Sequence, residues 1–193
     1  ALQAKSDEQA WRVLSRHART VLRTYSTSFF IVTRFLPARK RAQVESVYAA
    51  VRQPDEIVDS FPYSPAEQEA ALRVWRRNYE VSLTIPSIRE ALRAGVPPFV
   101  ATFTHVMRDA GIPEEHYHAF LDAMLRDVYP RPFESMRALV DDYIYGSAVV
   151  VGAFLTHIYG ASSPGMYDHA LTSARSLGIA LQLTNFARDV GED

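Results

Sequence analysis

Apolar residues along this chain recur every three or four positions, with polar residues between them. This spacing is typical of amphipathic helices, and no stretch shows the alternation of a half-buried strand. Residues that favour helix starts and stops divide the pattern into segments. We predict an all-α fold with helices over 7–24, 38–60, 65–84, 98–110, 113–129, 135–159 and 166–193.

Several of these boundaries rest on specific residues. Ser6 with Gln9, and Ser64 with Glu67, have the spacing of a capping box at a helix start. Gly111 precedes Ile-Pro-Glu-Glu, which indicates one helix ending and another beginning. The last helical pattern reaches residue 193 without a Gly or Pro stop signal. We therefore expect a single-domain helical bundle that is incomplete at its C-terminal end.

Composition narrows the class of protein. The 193 residues are 48% hydrophobic and carry a formal net charge of −1, so no electrostatic feature favours a nucleic-acid partner. The absence of cysteine excludes disulfides and thiolate metal sites. The longest apolar run, 147–155, is shorter than the roughly 20 residues that span a bilayer. We expect a cytoplasmic protein, with peripheral membrane contact left open.

A stripe of polar residues follows one face of the 38–60 helix. Tyr48, Arg52, Asp55 and Asp59 fall within a stripe roughly 60° wide at 100° per residue. The rest of the helix is mostly apolar, which favours an inward-facing stripe. Two carboxylates four residues apart are neighbours that repel each other unless a cation joins them.

A second stripe lies on the last helix. Gln182, Asn185, Asp189 and Asp193 share a face roughly 80° wide. We expect the opposite, apolar face (Ala180, Leu183, Ala187 and Val190) to pack on the core.

Two interpretations of these stripes remain open. Either stripe alone resembles an ordinary solvated helix face in a non-catalytic helical protein. If the two face each other, their oxygen ligands suit Mg²⁺, which binds one or two carboxylates together with substrate phosphates. Arg52 and Arg188 would then contact phosphate oxygens.

The motifs that contain these stripes resemble the squalene/phytoene synthase family. The segment Arg52-Gln-Pro-Asp-Glu-Ile-Val-Asp59 is similar to its first aspartate-rich motif, and 177–193 is similar to its second. Tyr25-Ser-Thr-Ser-Phe29 resembles its N-terminal substrate segment. The stretch 143–152 resembles its central helix, in the form of the bacterial phytoene synthase branch. Pro54 departs from the family pattern, and we expect it to kink the helix.

The resemblance implies the isoprenoid synthase fold and a set of site residues. The implied metal ligands are Asp55, Asp59, Asn185, Asp189 and Asp193. The implied substrate-binding residues are Tyr25, Ser26, Thr27, Ser28, Tyr48, Arg52, Gln182 and Arg188. Of these, Asp55, Asp59, Asp189 and Tyr48 take catalytic roles. Phe29, Phe30, Tyr48 and Tyr145 are candidates for lining an apolar cavity. The small residues Ala148 and Gly152 would either leave room in it or simply allow close helix packing.

The reaction that the resemblance implies is the head-to-head joining of two prenyl diphosphates through a cyclopropyl diphosphate. The implied substrate is geranylgeranyl diphosphate, the product phytoene and the cofactor Mg²⁺, with Mn²⁺ as a substitute. A squalene or dehydrosqualene synthase that uses farnesyl diphosphate is the alternative, with NADPH as a reductant for squalene. A non-catalytic assembly factor of the same fold is a further alternative. The oligomeric state is not predicted.

Overall fold

Helices make up nearly all regular structure in residues 3–189, the part of the chain that this computed structural model describes. The all-α prediction is confirmed. In chain order the elements are α1 (Asp7–Tyr25), α2 (Thr27–Thr33), α3 (Ala38–Asp59), α4 (Pro65–Leu83), α5 (Ile88–Arg93), α6 (Pro98–Ala110), α7 (Glu114–Val128), α8 (Met136–Leu139), a π-helical segment (Val140–Val149), α9 (Val150–Tyr159), a 3-10 turn (Pro164–Met166) and α10 (Tyr167–Asp189).

The capping residues act largely as their spacing predicts. Ser64 and Glu67 form the full capping box at the start of α4. Ser6 accepts from the backbone N–H of Gln9, but the Gln9 side chain accepts from Lys5 and not from the cap residue. Gly111 ends α6 in the left-handed conformation, with a φ of 65°. The short helices α2 and α5 were not predicted, because each contains too few turns to show a period.

The chain divides into two compact units, one ending at Ile112 and the other beginning at Pro113. The prediction of a single domain stays a prediction. In the first unit α3 packs on α1, α4 and α6. Its core includes the fully buried side chains Leu14, Leu22, Val44, Tyr79 and Phe103. Pro54 lies inside α3 and is buried, and the helix continues past it to Asp59.

In the second unit one continuous helix, Met136–Tyr159, packs against α7 and α10. Its central part is π-helical, a geometry frequent at functional sites. Among the described residues this is the one helix long and apolar enough to cross a membrane, whereas its sequence suggested only a short apolar run. Because the same helix contacts two neighbours in its own unit, length and composition are weak evidence of a membrane span.

Close backbone packing holds the π-helical segment against α7. A Cβ atom built on Gly146 would lie 2.3 Å from the carbonyl oxygen of Ala119 and 2.9 Å from the Cβ of Ala123. Only a glycine fits this approach without moving the backbone of α7. A Cβ on Gly165, in the 3-10 turn, meets nothing within 4 Å.

We expect Gly146→Ala to lower the free energy of unfolding by about 2 kcal/mol or more, since overpacked cores relax poorly. Gly165→Ala is the matched control and should be neutral or slightly stabilising. Thermal and urea denaturation of both variants measure the difference. Equal stability of the two variants would contradict the packing described here.

Candidate functional site

Arg52 is the centre of a charged cluster in the first unit. Its guanidinium forms ion pairs with both Asp55 and Glu56 on the same helix, α3. The same group lies over the Tyr25 ring, with its carbon 4.6 Å from the ring centroid. The structure therefore brings Tyr25, Arg52 and Asp55 together, and it pairs Arg52 with carboxylates of its own helix.

Glu56 belongs to this cluster, although the sequence analysis did not name it as a site residue. It is buried, and the Tyr25 hydroxyl donates to its Oε2 atom over 3.4 Å. Glu56 lies outside the predicted stripe by helical angle, so the stripe alone does not identify it. The signal that identifies Glu56 is its place as the second acidic residue of the first aspartate-rich motif.

The pKa values of both aspartates of the stripe are raised, although Asp55 is half-buried and Asp59 is exposed. The pKa of Asp55 is raised to about 6, first by burial and then by the neighbouring charge of Asp59, against the opposing effect of Arg52. The pKa of Asp59 is also raised, mainly by burial and in part by Glu56. A cation placed beside both carboxylates would favour their charged forms.

The N-terminal substrate segment surrounds the junction of α1 and α2. Tyr25 ends α1, Thr27 and Ser28 begin α2, and Ser26 lies between the helices with no side-chain cap bond. Thr27 and Ser28 are exposed. The Phe29 ring contacts the Tyr48 ring at 6.0 Å between centroids, and burial raises the Tyr48 pKa. This segment thus contacts the stripe of α3 through Tyr25, which lies against Arg52, and through Phe29, which lies against Tyr48.

The second stripe lies on α10. At 100° per residue, Gln182, Asn185 and Asp189 fall within about 40° of Gly178. Gly178 is buried, and a Cβ atom on it would lie 3.2 Å from the Cα of Val149 in the π-helical segment. The stripe therefore continues the face by which α10 contacts the central helix. Asn185 and Asp189 are exposed, and Asp193 lies outside the described residues.

The predicted apolar contact face of α10 is wrong. Ala180 and Ala187 are exposed and Leu183 is only half-buried, while Val190 lies outside the described residues. The helix packs instead through small residues on the polar side, where Gly152 of α9 approaches the Ala174 backbone. Close backbone contact, which hydrophobicity does not reveal, decides which face is inward.

Arg188 and Asp189 form an ion pair at 2.8 Å, and both side chains are exposed. Asp189 thus has a neighbouring cation on its own helix, as Asp55 has in Arg52. Each of the two predicted phosphate-binding arginines contacts a predicted metal ligand.

Tyr143 is a candidate site residue that the sequence analysis quoted only as part of a motif. Its hydroxyl donates to Oδ2 of Asp127 on α7 over 3.0 Å. Its ring stacks on Phe186, with centroids 6.2 Å apart, and contacts Phe133 at 5.8 Å. Phe186 directly follows Asn185, so Tyr143 lies beside the polar stripe of α10.

An apolar cavity of about 440 Å³ lies between the central helix and α10. Its lining residues are Ser147, Ala148, Val151, Gly152, Leu155, Thr156, Tyr159, Ala174, Leu177, Gly178 and Leu181. Ala148 and Gly152 are in this wall, as their size predicted. Leu181 directly precedes Gln182, so the polar stripe begins where the cavity wall ends.

None of the four aromatic residues proposed for a cavity is in this lining, and Phe29 and Tyr48 contact each other on α2 and α3. The Tyr145 hydroxyl lies 3.3 Å from Nδ1 of His116 on α7. The Phe30 ring is contacted by the guanidinium groups of Arg34 and Arg19, at 4.2 and 5.6 Å from its centroid. The Tyr145 and Phe30 rings are therefore held by neighbouring side chains that the periodicity of the sequence does not reveal.

The acidic residues suit a cation that keeps part of its water shell better than a cation that is enclosed by protein ligands alone. Within residues 3–189 no group of three or more His, Asp or Glu side chains has a metal-binding arrangement. Asp55 and Asp59 supply carboxylate oxygens on one helix face, and burial is the main cause of the raised pKa of each. A Mg²⁺ ion with one or two carboxylates, waters and phosphate oxygens fits this donor set.

Comparison with known proteins agrees with these motifs. The family model for squalene/phytoene synthase matches residues 22–193. The chain belongs to the squalene/phytoene synthase family. Among curated members of the family, phytoene synthase of Cereibacter sphaeroides is 32% identical over 178 residues, which cover 91% of this chain and 48% of that protein. Presqualene diphosphate synthase of Rhodopseudomonas palustris is 32% identical over 168 residues, covering 86% and 55% respectively.

Solved structures of squalene/phytoene synthase relatives share the fold. A dehydrosqualene synthase crystallised with a ligand superposes with a TM-score of 0.76 at 24% identity, covering 97% of this chain and 60% of that one. Squalene synthase HpnC of Alicyclobacillus acidocaldarius gives a TM-score of 0.71 at 22% identity, covering 94% and 64%. The predicted isoprenoid synthase fold is confirmed. The chain spans about half the length of the curated relatives it matches.

The Arg52 cluster predicts a difference between two arginines with the same helical spacing to a glutamate. Arg52→Gln leaves Asp55 and Glu56 without a cation, and we expect a loss of about 2 kcal/mol because these groups are largely buried. Arg73→Gln on α4 removes an exposed ion pair with Glu69, for which we expect a loss below about 0.5 kcal/mol. Chemical denaturation of the two variants compares them. A larger loss in the Arg73 variant would show that the cluster is not buried as described.

Proposed function

We propose that this chain takes part in the head-to-head condensation of two prenyl diphosphates. The observation that carries the proposal is the order of surfaces along α10. Leu177 and Leu181 belong to the apolar wall, Gln182 follows Leu181 directly, and Asn185 and Asp189 come one and two turns after Leu181. An apolar cavity followed along the helix by oxygen-bearing side chains suits a molecule with a hydrocarbon tail and an anionic head.

Each acidic stripe has a role in this proposal. Asp55 and Asp59 in the first unit, and Asn185 and Asp189 in the second, would hold Mg²⁺ or Mn²⁺ against the diphosphate. When bound, the metal ion supplies positive charge that favours departure of the diphosphate group. Asp193 is assigned the same role from its motif alone.

The arginines would exchange partners when substrate binds. Arg52 is shared between Asp55 and Glu56, and Arg188 pairs with Asp189. With a metal ion on the aspartates, both guanidinium groups become available to donate hydrogen bonds to diphosphate oxygens. The hydroxyls of Ser26, Thr27 and Ser28 add neutral donors beside Tyr25.

The cavity would protect the reaction from water. Allylic cations formed on loss of diphosphate react readily with water, so the prenyl chain needs a closed apolar surrounding. The side chains of Val151 and Leu155 make part of the cavity wall aliphatic. Tyr48 belongs to the stripe on α3, and the Tyr143 ring stacks on Phe186 beside the stripe on α10. An aromatic face stabilises a nearby cation by about 0.5–2 kcal/mol.

Geranylgeranyl diphosphate, with phytoene as the product, is the substrate we favour. This preference rests on the Asp-Glu pair of the first motif and on the Gly-Ser-Ala sequence of the central helix. Relatives named phytoene synthase, presqualene diphosphate synthase and 4,4'-diapophytoene synthase match this chain at 29–32% identity. Farnesyl diphosphate is therefore the alternative substrate, with NADPH needed only for reduction to squalene.

Thermal stabilisation tests the shared metal–diphosphate site. A non-reactive prenyl diphosphate analogue should raise the melting temperature with Mg²⁺ and much less without it, since ligands stabilise the state they bind. Asp55→Asn and Asp189→Asn should each reduce the shift, whereas Glu8→Gln, on an exposed carboxylate of α1, should leave it unchanged. A full shift in the absence of divalent ions would contradict the proposal.

The cavity predicts how a larger side chain affects substrate choice. Ala148→Phe should reduce kcat/KM for geranylgeranyl diphosphate at least about tenfold, and less for the shorter farnesyl diphosphate. Val74→Phe, at an exposed position of α4, is the control for added bulk. Product hydrocarbons are identified by mass spectrometry. Equal losses for both substrates would show that this cavity does not hold the prenyl tail.

A further inference from the structure

A basic cavity of about 230 Å³ lies in the first unit, away from the acidic stripe. It is formed by α1, the end of α2 and the start of α3. Four arginines and one glutamate line it, together with small residues: Ser15, Arg16, Arg19, Arg34, Ala38, Arg41, Ala42 and Glu45. Glu45 is buried and already paired with Arg34. Arg16, Arg19 and Arg41 form no ion pair within residues 3–189.

Two nitrogen atoms of this cavity lack the partners that buried donors normally have. Nη1 of Arg34 and Nε of Arg41 are buried and make no hydrogen bond within the described part of the chain. Buried donors without an acceptor cost free energy, and guanidinium groups suit the oxygens of a phosphate group. The cavity therefore has the charge and the free donors of an anion site.

The start of α3 adds positive potential to the same place. This 22-residue helix has no side-chain cap, and its first turn contains no acidic residue. Its first turn instead carries Arg39, Lys40 and Arg41, a sequence that the helix dipole disfavours. Arg39 is neutralised by Asp109 at 2.5 Å, but Arg41 extends into the cavity lining. An anion bound there would offset this unfavourable arrangement.

An exposed apolar surface adjoins the cavity along the chain. Ile31, Val32 and Phe35 are 55%, 59% and 87% exposed, and they lie within about 100° of one another on α2 and the turn after it. Arg34 directly precedes Phe35 and lines the cavity. Large apolar side chains beside arginines are typical of surfaces that insert shallowly into a membrane.

We propose that this basic cavity and the adjoining apolar residues form a docking surface for membranes that contain anionic phospholipids. The arginines would bind a phosphate headgroup, while Phe35, Ile31 and Val32 enter the region of the acyl chains. A soluble phosphate would satisfy the arginines but would leave the three apolar side chains in water. The surface is separate from the acidic stripe, and its test does not depend on the proposed reaction.

Vesicle co-sedimentation tests the surface directly. The protein is mixed with vesicles of phosphatidylcholine alone, or of equal parts phosphatidylcholine and phosphatidylglycerol. We expect binding to the anionic vesicles that falls with added salt. The double variant Arg16→Gln with Arg19→Gln should bind about 30-fold more weakly, because each basic residue near an anionic surface adds a similar amount to the binding free energy and this variant removes two. Phe35→Ser should weaken binding about tenfold by removing an inserted ring.

Matched controls separate this surface from general charge and hydrophobicity. Arg73→Gln and Val74→Ser, at exposed positions of α4, should bind as the unaltered protein does. Unchanged melting temperatures show that each variant is folded. The proposal is overturned by equal binding to both kinds of vesicle, or by equal losses in the controls. It is also overturned if inorganic phosphate abolishes binding while Phe35→Ser has no effect, which would indicate a site for a soluble anion.

Discussion

Holding several carboxylates on a largely buried helix is the constraint on which the proposed site depends. Asp55, Glu56 and Asp59 lie on α3, whose other positions form the core of the first unit. A single guanidinium, Arg52, pairs with two of them, and the charge of Asp59 raises the Asp55 pKa. A divalent cation beside these carboxylates would offset their mutual repulsion. Carboxylates can bind an anionic diphosphate only when cations lie between them.

The second unit provides the complementary requirement, a place for hydrocarbon. Small residues let the central helix and α10 approach closely at Gly178, while aliphatic residues around Ala148 leave a cavity beside that contact. The polar stripe of α10 continues the same face, so the change from apolar to polar occurs along one helix. Tyr143, fixed by Asp127 and stacked on Phe186, lies at this change. Charge at one end and an apolar cavity at the other are what a prenyl diphosphate needs.

Much of this could be predicted from sequence, because long amphipathic helices and their capping residues leave strong periodic signals. The bounds of α3 and α6, the turn at Gly111 and the membership of Arg52 and Asp55 in one cluster all follow from spacing. The inward face of α10 did not follow, since Ala174 and Gly178 pack by backbone approach and carry little hydrophobic signal. Glu56 was missed because it lies off the stripe, and the π-helical segment because its sequence resembles any apolar helix. The roles of the site residues stay predictions.

We propose that the carboxylates of α3 and the polar stripe of α10 bind the same diphosphate through divalent cations. A crystal structure of the protein with Mn²⁺ and a non-reactive prenyl diphosphate tests it most directly, because anomalous scattering locates each metal ion. The account predicts Mn²⁺ ligated by Asp55 or Asp59, Mn²⁺ ligated by Asn185 or Asp189, and one diphosphate group in contact with both sets of ions. Metal ions that bind elsewhere, or a diphosphate held by only one of the two helices, would contradict it.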